Sequence, residues 1–83
     1  MELKPQQSLD DLISCRLQYE QTTGDRTDAE HRLRQAIARA EIEVGNLVRR
    51  IDRDVDLRGV YNQLLCEAEM GRGVLEQHAP ARH

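Results

Sequence analysis

Six apolar residues, Leu33, Ile37, Ala40, Val44, Leu47 and Ile51, recur at steps of 4, 3, 4, 3 and 4. That spacing puts all six on one stripe of an α-helix, whereas a strand would scatter them over both faces. A second run repeats the pattern: Leu57, Tyr61, Leu64, Ala68, Gly71, Leu75 and His78 are spaced 4, 3, 4, 3, 4, 3. Between them lies Asp52-Arg-Asp-Val-Asp56, rich in a residue that prefers helix caps to helix interiors. No Gly or Pro forces a break there. Either Asp54 or Asp56 caps a new helix after a short turn, or one rod runs from residue 28 to 77. The rod would need a partner along its whole seam, while an antiparallel hairpin buries both seams internally. The hairpin is the expectation.

Ahead of the hairpin, Ser8-Leu-Asp-Asp11 looks like a capping box, with residues 1–7 as a polar lead-in that contains Pro5. Leu9, Leu12, Ile13 and Leu17 form a helical stripe, and Gly24 is placed to take positive φ and stop it. Thr27-Asp-Ala-Glu30 is a second capping box, and Glu30 stands four residues before Arg34 for a favourable pair. The predicted helices cover about residues 9–23, 28–51 and 56–77. The predicted fold is all-α: an antiparallel, coiled-coil-like hairpin with a shorter N-terminal helix. Residues 1–83 form one small domain, with 1–7 and 79–83 as loose ends. Phe and Trp are absent and Tyr19 and Tyr61 are the only aromatics, so Leu, Ile, Val and Ala are expected to build the core.

Little here points to chemistry. Asp52, Asp54 and Asp56 imitate the start of a calcium loop, but Leu57 stands where its Gly belongs and Gln63 where its bidentate Glu belongs. His31, His78 and His83 are scattered without zinc-ligand spacing, so no metal or cofactor is expected. Cys15 and Cys66 have no spaced His and carboxylate partners, and reduced thiols are the default for so few cysteines. No catalytic residue is assigned; the chain is not expected to be an enzyme. Lys+Arg 12 against Asp+Glu 15 leaves a net charge of -3, which argues against a dedicated nucleic-acid binder. The arginines Arg49, Arg50 and Arg53 do cluster, although Asp52, Asp54 and Asp56 interleave them. No apolar run is long enough for a membrane span and no signal-peptide core follows Met1, so a cytoplasmic protein is expected.

The informative oddity is surplus apolar surface. Ile42 lies opposite the Leu33–Ile51 seam, while Val60, Met70, Val74 and Leu65 widen the arc of the third helix. A two-helix hairpin cannot cover all of it. Either the first helix docks across the hairpin, or a second chain supplies the cover. The stretches Leu33-Arg-Gln-Ala-Ile-Ala-Arg-Ala40 and Val60-Tyr-Asn-Gln-Leu-Leu-Cys-Glu-Ala-Glu-Met-Gly-Arg-Gly-Val-Leu75 resemble the small α-helical co-chaperones of type III secretion systems that sequester needle subunits. That resemblance rests on length, hairpin layout and apolar spacing. It implies a cytoplasmic chaperone with a secretion subunit as partner.

These observations together predict a non-enzymatic helical adaptor or chaperone. Its partner-binding residues would be Ile37, Ile42, Val44, Leu47, Val60, Tyr61, Leu64, Met70, Val74 and Leu75, taking another protein's helix or a second copy of this chain. The alternative is a small dimeric helical regulator that contacts nucleic acid through the arginine cluster.

Overall fold

Pro5 can open a helix because its missing N–H is one of the four that have no intrahelical acceptor there. In the computed structural model, which describes residues 5–53 and 55–78, it does so. Helix α1 runs Pro5–Gln21, α2 runs Thr27–Val48 and α3 runs Leu57–His78. The fold is all-α, with three helices and a first helix shorter than the other two. Residues 1–4 and 79–83, the Asp54 cap and the His78 side chain lie outside what is described.

Two predicted caps are corrected. Ser8 is a buried residue inside α1, not its cap. Leu9 and Leu12 bury here and draw the preceding turn into the helix, and Asp11 reaches across to Arg39 instead (2.7 Å). The Thr27–Glu30 capping box is replaced by an upstream carboxylate. Asp25 Oδ1 accepts both the Thr27 backbone N–H (3.0 Å) and the Thr27 hydroxyl (2.6 Å). Glu30 pairs with Arg34 at 3.5 Å, as its spacing suggested. A carboxylate two residues upstream is a stronger acceptor than the Thr hydroxyl, and it takes the free donor first. Gly24 takes positive φ, at +83°, but α1 ends at Gln21, two residues before its predicted limit, so Gly24 lies beyond the C′ position.

α2 ends three residues short of its predicted limit. Arg50 N and Ile51 N both donate to Leu47 O at 2.9 Å, and Arg53 N donates to Arg50 O at 3.0 Å. The chain thus unwinds through tight turns, and Ile51 sits half-buried in the connection and not on the helix. This gives the hairpin, not the rod. Interhelical ion pairs show the directions: Asp11 with Arg39 and Glu41 with Arg72 fit antiparallel neighbours, while Arg16 with Glu67 fits parallel α1 and α3. All three helices pack on one another.

The core combines Leu9, Leu12 and Tyr19 from α1, Leu33, Ile37, Ala40 and Leu47 from α2, and Leu64, Ala68 and Leu75 from α3. Ala29 and Ala36 join them, because α2 faces two helices and buries a wider arc than one seam. Tyr19 corrects the purely aliphatic core: it is almost fully buried, with the Arg26 guanidinium 5.9 Å from its ring centroid. Leu17, expected on the buried stripe, is exposed. Gly71 lets α3 approach closely, since a Cβ there would stand 3.1 Å from Ile37 Cδ1.

Candidate functional site

Of the residues predicted to bind a partner, Ile37, Leu47, Leu64 and Leu75 are buried in the protein's own core. α1 has taken the place of the partner helix, so these four present no surface to another chain. Val44, Val60, Tyr61 and Val74 are half-buried and pack against the same core. Ile42 and Met70 remain open, at 67% and 48% exposure. Ile42 stands on the back of α2, whereas Met70 belongs to a larger feature.

Among the described residues, an ion pair joins each pair of helices. The Asp11–Arg39 and Glu41–Arg72 pairs have side chains about half exposed, at the surface of the bundle. The Arg16–Glu67 pair differs: its side chains are 13% and 18% exposed, sunk into the α1–α3 interface. Arg16 donates from Nε to Glu67 (3.0 Å) and from Nη1 to Glu20 (2.6 Å). Burial pulls its pKa down, but the two carboxylates outweigh that and hold it above the ordinary arginine value.

Above this pair the α1–α3 crevice stays open. A groove of about 200 Å³ is lined by Leu9 and Ile13 from α1 and by Asn62, Gln63, Cys66 and Glu67 from α3. Leu17 lies one turn beyond Ile13, and Met70 one turn beyond Cys66; both are exposed. These steps of four extend the apolar lining along the parallel helices. Of this set the seam pattern singled out only Met70. The available signal was the spacing Leu9–Ile13–Leu17, which reads equally well as the core stripe of α1.

The two thiols differ. Burial, then the nearby Asp11 carboxylate, pushes the half-buried Cys15 thiol up, against smaller opposing effects of Arg39 and Arg32. Cys66 is exposed in the groove wall. Among the described residues, no group of three or more His, Cys, Asp or Glu is placed to hold a metal ion. Arg49, Arg50 and Arg53 are exposed on the α2–α3 connection together with Asp52 and Asp56. No described helix is long and apolar enough to cross a membrane. No protein-family model matches the chain, and comparison with curated proteins and with solved structures also finds no match.

Proposed function

We propose that this protein is a non-enzymatic adaptor or chaperone that binds a partner helix in the α1–α3 groove. The carrying observation is the open crevice itself: an apolar lining of Leu9, Ile13 and Cys66, prolonged by exposed Leu17 and Met70. Helix-in-groove recognition needs a row of apolar anchors at helical spacing and no reactive group. The site therefore moves from the heptad seams to the outer face that α1 creates. The resemblance to needle-subunit co-chaperones makes a secretion-system subunit the first candidate partner, in the cytoplasm.

The test is a comparison of two tagged forms of the full chain purified from their natural host. One is wild type; the other carries Leu17→Lys and Met70→Lys, two exposed positions at which the fold tolerates a charge. The wild type should retain a protein partner that the double variant loses, with identical thermal melts. Identical co-purifying chains for both forms, or nucleic acid as the retained species, would defeat the reading.

A further inference from the structure

We infer that the α1–α3 groove selects a basic amphipathic helix, an inference that rests on the groove being the binding site. The charge around it is mostly acidic, with Arg58, exposed one turn before Asn62 on α3, opposing it. Asp10 is exposed on α1 and Glu69 on α3, while Glu67 forms part of the wall. Arg16, the cation at the centre, is already held by Glu20 and Glu67, and that trio is left with one net negative charge. Asp10 bonds the neutral Gln6 amide (3.1 Å), which cancels none of its charge. An occupant with Lys or Arg beside its apolar anchors meets carboxylates on both walls, whereas an acidic one meets like charge.

The shape of the groove sets the rest. An apolar α1 wall of Leu9 and Ile13 facing an α3 wall of Asn62, Gln63, Cys66 and Glu67 fits an amphipathic third helix lying between them, with anchors at i, i+3 or i+4, and i+7. Gly59 and Gly73 have open space where a Cβ would stand, so the α3 wall is low at both ends of its Cys66 segment. A bound helix there converts the three-helix bundle into a four-helix one. The same charges argue against a second copy of this chain, which would oppose Asp10 and Glu69 to their own kind. They also argue against a nucleic acid, whose phosphates these carboxylates repel.

Three synthetic helical peptides, each about four turns long, provide the test. They share one leucine stripe and differ only in flanking residues: Lys, Gln or Glu. The readouts are affinity by titration calorimetry and the rate at which iodoacetamide alkylates Cys66. Cys66 lines the groove and is exposed, while the Cys15 thiol is pushed up and half-buried, so the two are distinguished by peptide mapping. The Lys peptide should slow Cys66 alkylation and bind at least about tenfold more tightly than the Glu peptide at low salt, with the gap closing as salt rises. Met70→Lys should abolish that protection, and Ile42→Lys on the far face should leave it unchanged. Tighter binding by the Gln or Glu peptide, with Cys66 still protected, overturns the basic-helix inference and leaves the groove reading standing. No protection by any of the three peptides overturns both. Protection by concentrating the protein alone points to a second copy and overturns the inference.

Discussion

Gly71→Ala and Gly45→Ala are the same chemical change in two helix interiors, and they should act in different directions. In each, replacing Gly removes backbone freedom from the unfolded chain and favours the helix by about 0.5–1 kcal/mol. At Gly45 nothing lies within 4 Å of the new Cβ, so the whole gain should appear. At Gly71 the new Cβ would stand 3.1 Å from Ile37 Cδ1 and 3.4 Å from both Ile37 Cγ1 and Leu33 Cδ1. Ile37 cannot easily yield. It is buried itself, and as a β-branched helical residue it has one strongly preferred χ1, leaving only χ2 free. Leu33 closes the other side. Overpacking of this kind costs about 1–3 kcal/mol, so Gly71→Ala should fall between neutral and about 2.5 kcal/mol destabilising once the helix gain is subtracted.

Urea unfolding of both variants measures this difference, and thermal melts should separate them by at least about 4 °C. Ile37→Val supplies an internal check, because it deletes the Cδ1 methyl that the new Cβ meets. In a double-mutant cycle, Gly71→Ala should be better tolerated in the Ile37→Val background, with a coupling of about 0.5–3 kcal/mol. If Gly71→Ala stabilises as much as Gly45→Ala and shows no coupling to position 37, α2 and α3 do not approach as closely as described.

Leu47→Ala and Leu64→Ala should each cost about 2–5 kcal/mol in chemical unfolding, whereas Ile42→Ala should change stability by less than about 0.5 kcal/mol. Equal losses at positions 42 and 47 would reject the assignment of the α2 faces. Glu67→Gln should cost about 1–3 kcal/mol in thermal melts at neutral pH, since it leaves the sunken Arg16 short of a charged acceptor; Glu30→Gln, on an exposed pair, should be nearly silent. Asp25 has its pKa lowered below 3.8 by the Thr27 hydroxyl and then the Thr27 N–H. Its stabilising contribution is therefore complete above that value and lost as the pH falls through the lower, folded one. Asp25→Ala should lower stability at neutral pH and flatten the acid side of the stability–pH curve; an unchanged acid slope would mean the two hydrogen bonds do not hold in solution.

The two heptad runs are readable in the sequence because a period of 3.5 leaves one orientation for each helix; the turn between them is not, since Asp52–Asp56 holds no Gly or Pro and fits a hairpin or a rod. Gly24 is readable because positive φ has few takers. The capping boxes at Ser8 and Thr27 mislead for a common reason. Capping boxes are local patterns, and here each competes with a stronger claim: Pro5 with its pre-set φ, and Asp25 with its full charge. Tyr19 escapes the periodic pattern of α1 because that pattern, traced through Leu17, runs one face too far round. In a helix that touches two neighbours, the buried arc is too wide for a single stripe to define. Ser8 and Tyr19 are buried where the stripe Leu9–Leu12–Ile13–Leu17 alone would not place them.

The groove is invisible in the sequence for a deeper reason: it belongs to no single helix. The α1–α3 crevice exists only once α1 has docked on the hairpin. The Asp11–Arg39 and Glu41–Arg72 pairs lie high, with side chains about half exposed. The Arg16–Glu67 pair lies low, because Arg16 shares the α3-facing side of α1 with Leu9 and points into the bundle. The surplus apolar surface of the hairpin is thus divided in two. Val60 and Val74 are taken up by packing against the core, while Ile42, Leu65 and Met70 stay exposed, Met70 one turn beyond Cys66 of the groove wall. A charge placed at Met70 should therefore leave folding intact and disturb binding, while one placed at Val74 should disturb folding first. If both positions behave alike, α1 does not cover the hairpin as described, and the groove goes with it.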